Sequence, residues 1–68
     1  MPIIRVEMFE GRNEEQKAKL VHELTESFVH SCGGTKESVQ VVINNYSPEN
    51  WGSAGQLVSR KTKAAKDS

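Results

Sequence analysis

The chain has 68 residues, nine basic and nine acidic side chains, a formal net charge of zero and one cysteine, Cys32. That length permits one small domain whose own core only marginally offsets the entropy of ordering the chain. A lone cysteine excludes an internal disulfide, so partner subunits or a metal are expected to supply the missing stability. No basic region leads into a long apolar run and no stretch nears the ~18 apolar residues of a membrane span, so a cytoplasmic protein with no membrane partner is expected.

Acidic residues lead by eight to five through Trp51, after which Arg60, Lys61, Lys63 and Lys66 face only Asp67. Basic residues without interleaved aromatics read as a solvated end, not a nucleic-acid site. The expected organisation is a single domain over residues 1–60 and a flexible basic tail over 61–68.

In chain order, IIRVEMF from Ile3 to Phe9 alternates as a strand does, with Ile4, Val6 and Met8 on one face and Ile3, Arg5, Glu7 and Phe9 on the other. Arg5 on a face that should be covered needs a partner, with Glu7 or Glu10 the nearest acids, or it lines an opening. After the corner EGR, Asn13 is a good N-cap. Gln16 stands where a capping box needs it, and Glu14 and Glu15 suit the positive helix end. Leu20, Leu24, Phe28 and Cys32, widened by Val21 and Val29, draw an apolar stripe along a helix of about five turns, which Gly33-Gly34 stops. Cys32 reads as a small buried apolar residue.

VQVVIN from Val39 to Asn44 is a second strand, with Val39, Val41 and Ile43 on one face and Gln40, Val42 and Asn44 on the other. Strand, helix and strand make an α/β chain of βαβ type, its two strands parallel and its long crossover helix right-handed. One helix covers one face of that sheet. Parallel sheets are normally covered on both, so an oligomer is expected. WGSAGQLV predicts a short C-terminal hairpin reaching over a neighbour.

Several residues invite a chemical reading. His22, Glu26 and His30 share a helix face, but HExxH is not met, because Glu26 stands where its second histidine belongs. Surface residues at helical spacing are the plainer account, and no metal is expected. Tyr46 and Trp51 follow the second strand near its carboxyl end, where α/β sheets commonly place ligands. Arg12 sits at the strand-to-helix corner, where a guanidinium can grip a carboxylate with two prongs.

Pro2 is the most informative residue. Methionine before a small residue is commonly removed, and the new terminus would be a secondary amine. An ordinary α-amine titrates near pH ~8. Apolar walls and a nearby cation such as Arg12 both disfavour the ammonium and bring the nitrogen toward the working range of a general base.

Pro2-Ile3, EGR, the following EEQK and WGSAGQL together resemble the 4-oxalocrotonate tautomerase family, within the superfamily that includes macrophage migration inhibitory factor. The likeness runs from residue 2 to about 60. It implies a homohexamer, a trimer of βαβ dimers with sites shared between subunits, no organic cofactor or metal, and a place in aromatic hydrocarbon catabolism. It also implies that Pro2 moves a proton between the oxygen and carbon ends of an enol-keto system in a small carboxylic acid. Arg12 would hold the distal carboxylate and Trp51 would form an apolar wall.

One position departs from that pattern. The family's other arginine, which polarises the 2-oxo and carboxylate end of the substrate, falls on Gln40. Glutamine donates hydrogen bonds without charge, and Arg5 or Arg60 would have to compensate, or the substrate differs. Two alternatives follow: a hydratase or dehalogenase of haloacrylates, which the missing cation disfavours, and a non-catalytic oligomeric binding protein if Met1 is retained.

Overall fold

The computed structural model describes residues 1–64. Strand β1 spans Ile3–Phe9, helix α1 Glu14–Cys32 and strand β2 Gln40–Tyr46, and a hairpin of β3 (Gly52–Ser53) and β4 (Gln56–Leu57) leads into helix α2, Val58–Ala64. The strands β1 and β2 are parallel, with Ile3 beside Gln40, Val6 beside Ile43 and Phe9 beside Tyr46. Gln40 N–H donates to the Pro2 carbonyl at 3.0 Å and Glu10 N–H to the Tyr46 carbonyl at 2.9 Å, extending the ladder past both ends of β1. This is the expected βαβ unit with its short C-terminal hairpin.

The chemistry at the start of α1 is as the sequence indicates. The Asn13 side chain accepts from Gln16 N–H at 2.8 Å, and the Gln16 side chain accepts from Asn13 N–H at 3.0 Å. This reciprocal box satisfies two donors that a helix start otherwise leaves orphaned. At the far end Gly33, at φ 85, donates to the Val29 carbonyl.

Three features differ from expectation. β2 starts one residue later and ends two residues later, at Tyr46. Val39 is taken up by a 3-10 turn, its N–H bonded to the Lys36 carbonyl, while Asn45 and Tyr46 continue pairing with Met8 and Phe9. Cys32 is exposed, not buried. A 19-residue helix is ~28 Å long and a seven-residue strand ~23 Å, so α1 is longer than the sheet it covers. Finally, residues 61–64, placed in the tail by composition, form the end of α2, and Lys61 Nζ donates to the Ser53 carbonyl at 3.5 Å. The remainder of the expected tail, 65–68, lies outside the described residues.

The core is thin. Among the described residues no hydrophobic side chain is buried, and Ile3 and Val42 are 51% and 38% exposed. α1 covers the face of Ile4, Val6, Met8, Val41 and Ile43, all half-buried, whereas Ile3, Arg5, Glu7, Gln40 and Val42 on the opposite face are exposed. The radius of gyration is 15.6 Å, against ~11 Å for a compact domain of this length. One chain does not close over a core of its own.

Candidate active site

The residues singled out above fall into two groups, one at each end of the sheet. At the amino ends of both parallel strands stands Pro2, half-buried, with its carbonyl held by Gln40 N–H. The Gln40 side chain is exposed beside Ile3, on the uncovered face. Met1 precedes Pro2 and is 83% exposed.

At the carboxyl ends stands an aromatic cluster. The Trp51 ring meets Phe9 edge-on, centroids 4.7 Å apart at 60°, and Tyr46 at 5.5 Å and 74°. Such T-shaped contacts set the electropositive edge of one ring against the face of another. The Tyr46 hydroxyl donates to Glu7 Oε1 at 3.1 Å. That bond, then burial and the Glu7 charge, hold the Tyr46 pKa above its ordinary 10.0.

Arg12 belongs to this second end. Gly11, at φ 130, turns the chain out of β1, and Arg12 Nη1 donates to the Phe9 carbonyl at 3.4 Å. Its exposed side chain lines a depression of about 230 Å³ with Met8, Gln16, Lys17 and Leu20.

Pro2 and Arg12 are therefore separated by the length of β1, ~23 Å from Pro2 to Phe9. No conformation of one chain brings both to one small molecule.

The expected partners of Arg5 do not take it up. Glu7 is engaged by Tyr46, and among the described residues the one ion pair is Lys19 with Glu23. Arg60 is exposed on α2, against Gly55, Gln56 and Leu57 of the hairpin, away from Pro2. Among the described residues no three of His, Cys, Asp and Glu gather as metal ligands, and His22, Glu26 and His30 are exposed along α1. Phe9 and Glu7 join this aromatic cluster, Phe9 through Trp51 and Glu7 through Tyr46, and motif reading alone does not mark them. Their signal is positional: both lie on the uncovered face of β1, in register with the stretch of β2 that ends in Tyr46.

Comparison with known proteins bears on the family and the fold. Residues 2–61 match the Tautomerase family, described as tautomerase enzyme. A 2-hydroxymuconate tautomerase of Comamonas testosteroni is 40% identical over 55 residues, covering 81% of this chain and 87% of that protein. A structure of the 4-oxalocrotonate tautomerase isozymes from Methylibium petroleiphilum superposes with a TM-score of 0.88 at 33% identity, over 93% of this chain and 98% of that one. A heterohexamer 4-oxalocrotonate tautomerase from Chloroflexus aurantiacus gives 0.80 at 29% identity, over 87% and 95%. The chain belongs to the tautomerase superfamily and, within it, to the 4-oxalocrotonate tautomerase family. A tautomerase-type function follows at that coarse level. Among the described residues no helix is long and apolar enough to cross a membrane.

Proposed function

We propose that the protein is a cofactor-independent keto-enol tautomerase of small 2-hydroxy-dienoic or 2-oxo acids, with its sites built between chains of a homohexamer. The observation that carries this reading is the division of the site residues: Pro2 and Gln40 at one end of the sheet, and Phe9, Arg12, Tyr46 and Trp51 at the other. In this reading two copies that run in opposite directions complete each other's site.

In the proposed reaction the free Pro2 nitrogen takes the proton of the substrate's 2-hydroxyl. The O–H electron pair becomes the carbonyl π bond, the diene electrons shift outward, and the distal carbon takes the proton back from the prolyl ammonium. No net proton is gained or lost. Arg12 of a neighbouring chain holds the distal carboxylate, and Trp51 with Phe9 excludes water from the reacting carbons. That apolar wall, together with the guanidinium, disfavours the charged form of Pro2. Gln40 supplies a neutral donor at the 2-oxo end.

The test is a turnover assay with 2-hydroxymuconate and with the enol of phenylpyruvate, run beside an intact-mass measurement of the cellular protein. The reading requires loss of Met1 and measurable ketonisation. A retained Met1 makes the Pro2 nitrogen a tertiary amide and leaves only the binding-protein alternative. Chloride release from 3-chloroacrylate without tautomerase turnover would favour the dehalogenase alternative.

A further inference from the structure

Two aromatic rings compete for the place beside Phe9. Tyr46 is the register partner of Phe9, and rings directly opposite each other on one face of a strand pair ordinarily associate. The contacts seen are different. Trp51 meets Phe9 edge-on at 4.7 Å and Tyr46 at 5.5 Å, so Trp51 is the ring that both of the others meet. Tyr46 leans back along β1, and its hydroxyl donates at 3.1 Å to Oε1 of Glu7, two residues before Phe9. Residues two positions along a neighbouring strand lie within reach of an aromatic side chain. Arg5 shares the face of Glu7, yet among the described residues the one ion pair is Lys19 with Glu23, so the phenol is the group that engages the Glu7 carboxylate.

The backbone of Trp51 is fixed from both sides. A 3-10 turn over Pro48–Asn50 delivers it from the end of β2, and Val58 N–H donates to its carbonyl at 2.8 Å where the hairpin closes. Where its ring goes then depends on whether the place beside Phe9 is vacant.

We propose that Glu7 is a positioning residue for Trp51: by drawing the Tyr46 ring away from Phe9, it opens the place that the Trp51 ring fills. Glu7 acts through Tyr46 and not on the substrate. Its bond gains weight once neighbouring chains cover this face, because an acceptor removed from water is costly to leave unpaired. The proposal rests on the reading above in which Trp51 walls the site, and deepens it, since the wall then stands only while Glu7 holds Tyr46 aside. Without that bond Tyr46 closes onto Phe9, the Trp51 ring swings out and water reaches the reacting carbons.

Nuclear Overhauser contacts among the aromatic rings of the full chain test the placement without reference to turnover. Glu7→Leu removes the acceptor at similar volume, and Glu7→Ala removes it without adding apolar surface, which covers the case of a Leu variant that does not fold. In either variant the Trp51–Phe9 contacts are expected to be lost and Phe9–Tyr46 contacts to appear. Trp51, the only tryptophan, is expected to become more open to acrylamide quenching. Glu7→Gln keeps a carbonyl acceptor and is expected to keep the parent contacts. In steady-state kinetics the two variants without an acceptor are expected to raise KM by roughly threefold or more, the worth of a ring contact, with kcat changed less and Glu7→Gln matching the parent. Parent-like ring contacts in Glu7→Ala overturn the proposal, and so does their loss in Glu7→Gln as well. Displaced Trp51 with KM unchanged upholds the positioning and rejects Trp51 as the wall of the site.

Discussion

The Tyr46 hydroxyl donates to Oε1 of Glu7 at 3.1 Å, joining the end of β2 to the middle of β1 and holding the ring that meets Trp51 edge-on. The bond favours protonated Tyr46, as do burial and the Glu7 charge, and raises its pKa from 10.0. The native chain therefore holds this proton more tightly than the unfolded chain. Its stabilising contribution is complete below pH 10.0 and is lost as pH rises through the higher native value. Tyr46 is the only tyrosine, so ultraviolet difference absorbance reports it alone. The midpoint is expected above that of free tyrosine, and Glu7→Gln is expected to lower it. An unchanged midpoint in that variant contradicts the bond's role.

Gln40, whose N–H is bonded to the Pro2 carbonyl, brings no charge to the position where the family resemblance implies an arginine. A charge-assisted hydrogen bond contributes roughly 1.5–3 kcal/mol and a neutral one nearer ~1. Gln40→Arg is accordingly expected to raise kcat/KM for 2-hydroxymuconate by ~10-fold or more, with a smaller effect on a monocarboxylate. Equal or lower turnover of the dicarboxylate counts against the assigned position.

Gly11 aims Arg12 from a backbone conformation, φ 130, that side chains rarely adopt, although nothing stands within 4 Å of an added Cβ. Strain in such regions costs about 1–3 kcal/mol. Gly11→Ala is expected to lower stability by about that amount and to raise KM more than it lowers kcat, because the carboxylate grip moves while Pro2 does not. Thermal melts and steady-state kinetics check this. A pure loss of kcat contradicts it.

Pro2→Ala keeps a primary α-amine in place of the secondary one. General base catalysis is worth ~10²- to 10⁴-fold, so a drop in kcat of at least ~10² is expected with assembly unchanged. Parent-like turnover removes Pro2 from the mechanism.

Much of this architecture was legible locally. Asn13 and Gln16 announce the start of α1, Gly33-Gly34 its end, and alternation over Ile3–Phe9 gives β1 its length. The end of β2 was harder to see. Asn45 and Tyr46 are strand residues because Met8 and Phe9 lie beside them, a long-range fact that their own composition conceals. Cys32 is exposed although it continues the apolar stripe, because periodicity reports a stripe without reporting where the surface beneath it ends. α2 leaves little trace in the sequence because its basic residues carry no apolar rhythm, and its Lys61 is bonded to Ser53 of the hairpin. Of the candidate site residues, Pro2, Arg12 and Trp51 stand out by type and position in the chain, whereas Gln40 is marked only by the resemblance. Their division between opposite ends of β1 required the register, as did the part played by Glu7 and Phe9.

The central claim is that the Pro2 nitrogen is free of Met1 and unprotonated near neutral pH. Nitrogen-15 NMR of the assembled, proline-labelled protein measures this directly. The account predicts a single titration at least about one unit below the ~8 of an ordinary α-amine. A midpoint at or above that of a free peptide, or an amide resonance that never titrates, contradicts it.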